Sequence, residues 1–488
     1  KNAGSNAKSN QSASGLVVQE EGKFYYRHPD HIKEMGREVR INDTEQELTQ
    51  KMTDGNSEVN PKPIAERFGR KTVAGIDVVT TKTGAKDFVT VAASFPIGNY
   101  FNAKGNEAIP SLTTALLSKG TTKKDKFQFS KELEKLGVSI SVGAGAHKVD
   151  IGFKCLKKDL ATVVDLLAEE LRYPLFDTKE FDILKQQNIG NMQQGLSNPG
   201  TRGRIALSQI LYPEGHPNYT KEIEQQLEDV KNATLEDIKR FHKEYFGPAG
   251  MHLVAVGDVD ADVLYKALKK SFAGWKGGIT NRVGFDQPQK VAGETKMVFI
   301  PEKPSAELFI GQYTGLTRTN PDYIPFFIGN YALGGGFSGR LMRTVRDEEG
   351  LTYNIRSQHT GHDFGVGGHW LINASFNPEL FQKGLDATRA QLKKWWENGI
   401  TEKELQDKKS NLTGSFKVGL SSTSGLANTL LTFLERGLEP SYVDEYSKKI
   451  EAVSLEQVNR AIKKYIDLDK LIIVKSGSLS KAESGKTE

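Results

Sequence analysis

The chain has 488 residues, of which 26% are charged and 37% hydrophobic, a composition typical of a globular protein. This length exceeds what one ordinary hydrophobic core supports, so we expect about two to four domains. The net charge is only +5 and the lysines are dispersed, which argues against nucleic acid or an anionic membrane as a partner. No apolar run approaches the roughly 18 residues that a membrane span needs.

Residues 1–64 are predicted to be an N-terminal extension. They begin at Lys1 with a run rich in Ser, Asn and Gly and continue into a charged run. The polar run indicates a processed terminus, as left by export, and so predicts a periplasmic or exported bacterial protein; a trimmed start is the alternative. The single cysteine, Cys155, ends a strand-like run and is predicted to be a buried, unreactive thiol.

A regular pattern of elements starts at Phe68. β-branched segments broken by glycines predict strands over residues 68–98, followed by a helical stretch to Leu117 and a short amphipathic helix that ends at Gly137. Strands are predicted again over residues 138–156. Two long amphipathic helices follow, with Pro174 between them and Asp177 as the N-cap of the second.

The second half of the chain repeats the order of the first. Residues 230–246 (VKNATLEDIKRFHKEYF) and 450–466 (IEAVSLEQVNRAIKKYI) match at Leu, Glu, Arg, Lys and Tyr in the same register. A repeat on this scale indicates two homologous lobes rather than a solenoid, whose units are far shorter. A Gly-rich linker over residues 274–293 separates them, so we predict lobes at 65–280 and 290–478.

One stretch of the second lobe resembles a known signature. ALGGGFSGRLMRTVRDEEGLTYNIRS (332–357) contains a glycine-rich turn, a helix with arginines, and Gly-Leu-x-Tyr entering a strand. This pattern is similar to that of the M16 family of pitrilysin, insulinase and mitochondrial processing peptidase, and the resemblance covers residues 68–475. It implies an α+β fold of the M16/LuxS-like metallohydrolase type. Each of the two homologous lobes would contain two subdomains of mainly antiparallel sheet with helices on one face.

The first lobe lacks the zinc motif that this resemblance would lead one to expect. Active subunits of the family carry H-x-x-E-H on a helix, where two histidines bind zinc and the glutamate is the general base, and a second glutamate follows later. Aligned on LLSKGT, this chain has Ser111, Thr114 and Ala115 at these positions and Asn191 near the distal ligand. These side chains supply neither a zinc ligand set nor a base. The resemblance therefore predicts no metal in this chain.

The second lobe keeps the other part of the family's site. Arg346 and Tyr353 match an arginine and a tyrosine that, in the family, stabilise negative charge on the scissile carbonyl. An ordinary surface arginine and a strand tyrosine are the alternative. Gly334, Gly335 and Gly336 resemble the loop with which a non-catalytic subunit holds substrate, and a plain flexible turn is the alternative for them.

The resemblance thus implies the non-metal subunit of a heterodimeric M16 zinc peptidase, inactive as an isolated chain. Its partners would be an H-x-x-E-H-bearing M16 subunit, which holds the zinc, and a peptide added as a strand at a sheet edge. A catalytically silent peptide-binding or scaffold protein is the alternative. An independent hydrolase is a third possibility, for which the sequence offers no constellation.

The remaining candidates receive structural interpretations. The pairs His28/His31 and His359/His362 contain helix-breaking Pro or Gly, so surface histidines are predicted rather than a metal site. His216 is predicted to be structural. The basic helix end SNPGTRGR (197–204) is predicted to face solvent.

Overall fold

The structure is a computed structural model that describes residues 10–12, 15–20, 23–27, 63–97, 105–145, 147–280, 288, 291–363 and 365–479. The chain divides into two compact units between Lys62 and Pro63. The first unit contains a three-stranded antiparallel sheet, which the sequence analysis did not predict. Its strands are adjacent in chain order: β1 (Asn10–Ser12), β2 (Gly15–Glu20) and β3 (Lys23–Arg27).

The second unit is built on two mixed sheets. The first has the order β4-β5-β9-β6-β8-β7 and comprises β4 (Phe68–Val73), β5 (Ile76–Lys82), β6 (Phe88–Pro96), β7 (Ser141–Ala144), β8 (Lys148–Leu156) and β9 (His252–Gly257). The second has the order β10-β14-β11-β13-β12 and comprises β10 (Glu294–Phe299), β11 (Ala306–Tyr313), β12 (Thr352–Thr360), β13 (His369–Phe376) and β14 (Ile472–Gly477).

The two sheets have the same topology once β4 is set aside. β5-β9-β6-β8-β7 corresponds strand by strand to β10-β14-β11-β13-β12. Each contains one parallel pair, β5/β9 or β10/β14, and its other pairs are antiparallel. The predicted α+β fold of mainly antiparallel sheet is confirmed, with one sheet in each half of this unit rather than the two subdomains per lobe that were expected. The lobe boundaries at 65–280 and 290–478 stay a prediction.

The helices follow the same repeat. Those of the first half are α1 (Ala108–Leu117), α2 (Lys126–Leu136), α3 (Leu160–Arg172), α4 (Thr178–Gly195), α5 (Pro199–Leu211), α6 (Ile223–Asn232), α7 (Leu235–Tyr245) and α8 (Ala261–Ser271). Those of the second half are α9 (Tyr323–Asn330), α10 (Phe381–Asn398), α11 (Glu402–Gly419), α12 (Thr423–Glu435), α13 (Tyr442–Glu451) and α14 (Leu455–Tyr465).

Local capping signals place several of these helices where the sequence predicted them. The carboxylate of Asp177 accepts a hydrogen bond from Glu180 N, which starts α4 after Pro174. The matched segments at 230–246 and 450–466 contain α7 and α14. Both begin with a capping box, in which Thr234 or Ser454 is the N-cap. None of the helices in the described part of the chain has the length and apolar character needed to cross a membrane.

One face of each sheet is covered by helices from the same half of the chain. On the first sheet, α1, α3, α7 and α8 bury apolar side chains against β5, β6 and β8, and Phe95 and Ile151 lie in this core. On the second sheet, α9, α10 and α14 bury theirs against β11, β12 and β13. Cys155 on β8 is buried, as predicted, and burial raises the pKa of its thiol to about 12.

The opposite face of each sheet is covered by a helix from the other half. Leu430 and other residues of α12 pack on Val79 and Val254 of the first sheet. Reciprocally, Leu207 and other residues of α5 pack on the second sheet, and these contacts bury Phe309. Each fully buried side chain of this size contributes about 1.5–3 kcal/mol. The two halves therefore share their cores, an arrangement that the sequence did not predict.

Hydrogen bonds fix the two exchanged helices in place. Glu435 at the end of α12 accepts from Ser94 Oγ of β6 at 2.6 Å and from Lys148 Nζ of β8 at 2.7 Å. Tyr212, which follows α5, has its hydroxyl 2.7 Å from His369 Nδ1 of β13. These polar groups are thus paired across the boundary between the halves, which offsets the cost of removing them from water.

Gly203 allows α5 to approach the second sheet closely. A Cβ at this position would lie 2.5 Å from Phe309 Cε2 and 3.1 Å from Ser476 Cβ. We expect Gly203→Ala to lower the free energy of unfolding by about 1–3 kcal/mol, because the helix must move away from the sheet. The shift of the urea midpoint measures this loss.

Gly190→Ala on α4 is the matched control, since a Cβ at Gly190 meets nothing within 4 Å. Alanine favours a helix interior, so this variant should be neutral or more stable than the wild type by up to about 1 kcal/mol. Equal midpoints for the two variants would show that the close approach of α5 does not contribute to stability.

Candidate functional site

The glycine-rich turn lies against the edge strand of the second sheet. Helix α9 continues into a π-helical turn, Tyr331–Gly335, and a π-helical segment, Met342–Glu348, follows. A Cβ on Gly334 would lie 2.9 Å from Ser357 N of β12, and one on Gly339 would lie 2.8 Å from Gly334 Cα. Glycine is needed here because backbone packs directly on backbone.

Two side chains of α11 anchor this turn from the other side. Arg340 donates two hydrogen bonds to Glu404, from Nε to Oε1 at 2.7 Å and from Nη2 to Oε2 at 2.6 Å. Lys408 Nζ donates to the backbone oxygen of Ser338 at 2.9 Å and to its hydroxyl at 2.8 Å. Burial alone would raise the pKa of Glu404, but Arg340 and the Thr401 amide lower it to about 2.

Arg346 and Tyr353 lie at the two ends of one tight chain reversal. Gly350 N donates to Arg346 O at 3.0 Å and Leu351 N donates to Val345 O at 3.0 Å, while Gly350 has a left-handed φ of +64°. Both candidate side chains therefore border the same turn, between the π-helical segment and β12. The structure places these two predicted site residues on either side of one turn.

Tyr353 projects from the sheet into solvent. Its side chain is 95% exposed, and its hydroxyl has no hydrogen bond within the described part of the chain. The register of β12 against β13 shifts between Thr352 and Asn354, so Tyr353 is the additional residue of a β-bulge. Bulges redirect side chains next to functional sites. The side chain of Arg346 is 41% exposed, and its one ion pair among the described residues is with Asp347 at 3.2 Å.

Two further exposed residues stand beside these and were missed by sequence reasoning. The ring of Phe337, 75% exposed, lies in the glycine-rich turn. The guanidinium of Arg356 on β12 lies 5.8 Å from its centre. The sequence did contain a signal for an exposed Phe337, namely an aromatic residue within a run of glycines. A glycine-rich turn has no core in which such a ring could be buried.

The helix that would carry the zinc motif does not fit a zinc ion. Ser111 on α1 is exposed, and the Thr114 hydroxyl donates to backbone oxygens within the helix, to Pro110 O at 3.2 Å and Ser111 O at 3.1 Å. Ala115 packs on the core, and Asn191 on the adjacent α4 is exposed. Within the described ranges no group of three or more His, Cys, Asp or Glu residues could hold a metal.

His359 and His362 are not surface residues, so that prediction was wrong. Both are buried, and their rings stack at 4.7 Å with an interplanar angle of 13°. His359 Nε2 is paired with the hydroxyl of Thr314 at 2.8 Å, and burial lowers the pKa of His362 to about 4. Glycine at 361 made the pair look like a loop, but the loop folds back onto the sheet. His28 and His31 lie outside the described residues.

Comparison with known proteins assigns the family. A model described as "Insulinase (Peptidase family M16)" matches residues 77–202, and one described as "Peptidase M16 inactive domain" matches residues 232–412. The chain belongs to the M16 peptidase family. The first model lies within the first half of the chain, and the second begins in the first half and extends into the second.

Relatives of this M16 chain include both non-peptidases and peptidases. It is 23% identical over 383 residues to the "Non-peptidase homolog YmxG" of Helicobacter pylori, covering 78% of this chain and 86% of that one. It is also 23% identical to the "Zinc protease PqqE" of the same organism, covering 74% and 81%. The crystal structure of a peptidase M16 inactive domain from Pseudomonas fluorescens matches with a TM-score of 0.75 and 23% identity, over 85% of this chain and 98% of that one.

The anchor of the glycine-rich turn predicts a pH-dependent contribution to stability. Because the folded pKa of Glu404 lies below its ordinary value of 4.5, its stabilisation is complete above about pH 4.5 and is lost as the pH falls toward 2. We expect Glu404→Gln to lower the free energy of unfolding by about 1–3 kcal/mol at pH 7. The difference from the wild type, measured by urea unfolding, should shrink at pH 3.

Glu397→Gln on α10 is the matched control. Its one ion pair within the part of the chain that the structure describes, with Lys393 at 3.7 Å, is largely exposed, so the change should stay within about 0.5 kcal/mol. A Glu404→Gln protein with the same urea midpoint as Glu397→Gln at pH 7 would contradict the anchoring role of Glu404.

Proposed function

We propose that this M16 chain is the non-metal subunit of a heterodimeric zinc peptidase, inactive alone, and that it supplies Arg346 and Tyr353 to the active site of its partner. The observation that carries the proposal is the exposure of Tyr353 on a bulge at the edge of the second sheet. No described residue makes a hydrogen bond to this phenol, so its ring and hydroxyl are available to another molecule.

The chemistry of the pair suits acyl transfer from a peptide. When water attacks a scissile carbonyl, negative charge develops on the carbonyl oxygen, and donors placed in advance lower the barrier. A guanidinium and a phenol supply a fixed charge and a directed O–H. The backbone bonds around Gly350 hold the two residues at one turn, which limits the reorganisation needed when substrate binds.

The surroundings of the pair support peptide binding in the same place. β12 is an edge strand, and an extended peptide can add to such an edge through main-chain hydrogen bonds. Phe337, exposed above Arg356, offers an apolar contact for a substrate side chain. In this proposal Gly334, Gly335 and Gly336 let the substrate pass close to the backbone, and the Arg340–Glu404 pair holds their turn in shape.

The partner would carry H-x-x-E-H and the zinc, because α1 of this chain has no side chains that fit the metal. Helicobacter pylori has one relative named a non-peptidase homologue and another named a zinc protease, which supports a division of the family's functions between two chains. The exported or periplasmic location remains a prediction within this proposal. So does the division into lobes at 65–280 and 290–478.

The proposal predicts the effect of removing either donor. In the complex of this chain with its H-x-x-E-H partner, Arg346→Ala or Tyr353→Phe should lower kcat for peptide cleavage by roughly 100- to 1000-fold, the usual loss for one oxyanion donor. Assembly should be retained, because both side chains are exposed. Steady-state cleavage of a quenched fluorescent peptide and size-exclusion chromatography measure these two effects.

The matched controls are Arg343→Ala and Tyr173→Phe. Arg343 lies on the same π-helical segment as Arg346, and Tyr173 is a half-exposed tyrosine in the first half of the chain. Both complexes should cleave at the wild-type rate. A normal rate for Arg346→Ala and Tyr353→Phe in an assembled complex would remove the assigned roles.

A silent peptide-binding or scaffold protein is the second candidate. It is favoured by the likeness to a protein named a non-peptidase homologue and by the misfit of α1 to zinc. Such a protein would bind peptide along β12, and the Phe337→Ala variant would weaken that binding. If this second candidate is right, adding the wild-type chain to the H-x-x-E-H chain would leave the rate of peptide cleavage unchanged.

A further inference from the structure

A second concave site lies away from Arg346 and Tyr353. It is a cavity of about 470 Å³ between the segment that follows β11 and the helices α12 and α13. This volume is within the range of small-molecule sites. Its walls carry the cations Arg318, Arg436 and Lys449 together with the phenols of Tyr442 and Tyr446.

Two of the three cations of this cavity have a carboxylate partner, and the third, Arg318, has none within ion-pair distance among the described residues. Arg436 is paired with Asp363 through a single oxygen, Oδ1, which lies 3.0 Å from both Nε and Nη2. Lys449 lies 3.9 Å from Glu445.

Among the described residues, the side chains in direct contact with the guanidinium of Arg318 are neutral. It donates to the hydroxyl of Tyr323 and lies 3.5 Å from His362 Nε2, and its guanidinium carbon stacks 4.2 Å from the centre of the Tyr323 ring. Burial and then the like charge of Arg436 lower its pKa to about 10, and the carboxylate of Asp363, which pairs with Arg436, opposes this shift without cancelling it. A buried cation held beside another cation is unfavourable unless an anion offsets it.

The other side chains that line the cavity indicate what the rest of a bound ligand would be. The hydroxyls of Tyr442 and Tyr446 have no hydrogen bond among the described residues, so they can donate to an anion. Phe433, Leu438 and Ile324 supply apolar surface. We propose that this cavity binds a small organic anion, in which a carboxylate or phosphate group meets Arg318 and an apolar or aromatic body lies against these side chains.

Calorimetric titration of the full chain with phenyl phosphate, benzoate and neutral benzyl alcohol tests the proposal. Both anions should bind saturably and benzyl alcohol should not. Tighter binding of phenyl phosphate would assign a phosphate ligand, and tighter binding of benzoate a carboxylate; either supports the site. Arg318→Gln should weaken anion binding by about 10-fold or more, since a charge-assisted pair is lost.

If Arg318→Gln does not fold, the variants Lys449→Gln and Tyr446→Phe test the same site. They change side chains at the rim of the cavity, so we expect both to fold. Each should weaken binding by a few fold. Lys393→Gln on α10, a largely exposed lysine outside the cavity, is the control and should bind as the wild type. Absence of saturable anion binding, or unchanged affinity in all three cavity variants, would overturn the proposal.

Discussion

The structure depends on the exchange of two helices between its halves. A mainly antiparallel sheet with apolar side chains on both faces must be covered twice, and the helices of each half cover only one face. α12 covers the second face of the first sheet and α5 covers that of the second. Neither sheet is complete without the other half of the chain, so the duplicated units form one compact body rather than two independent ones.

This exchange also sets the position of the candidate site. The second sheet, fixed between α5 and its own helices, presents β12 as an edge, and the bulge at Tyr353 turns that side chain outward. The glycine-rich turn rests on the same strand and is anchored to α11 by Arg340 and Glu404. The proposed charge stabilisation rests on this arrangement, in which an exposed phenol and an exposed guanidinium flank one turn.

Local signals in the sequence predicted what is local in the structure. The Asp177 cap and the helix end at Gly137 were placed correctly, because each rests on contacts within one turn of helix. The M16 family and its α+β fold followed from the repeat and from the pattern at 332–357.

Long-range packing could not be predicted in the same way. An amphipathic pattern shows that a helix has an apolar face but not which sheet covers it, so the exchange of α5 and α12 was missed. SNPGTRGR indicated a basic helix end facing solvent, yet Gly203 within it packs on Phe309. The burial of His359 and His362 likewise depends on a loop folding back onto a sheet. Phe337 was overlooked because its exposure is a property of the turn.

The most direct test of the account is to measure zinc content and peptide cleavage for this chain alone, for an H-x-x-E-H-bearing M16 chain of the same organism alone, and for the two together. The account predicts zinc on the second chain only and cleavage only in the mixture, where the two chains elute as one complex. Zinc bound by this chain, or a mixture that forms no complex and cleaves no faster than its components, would contradict it.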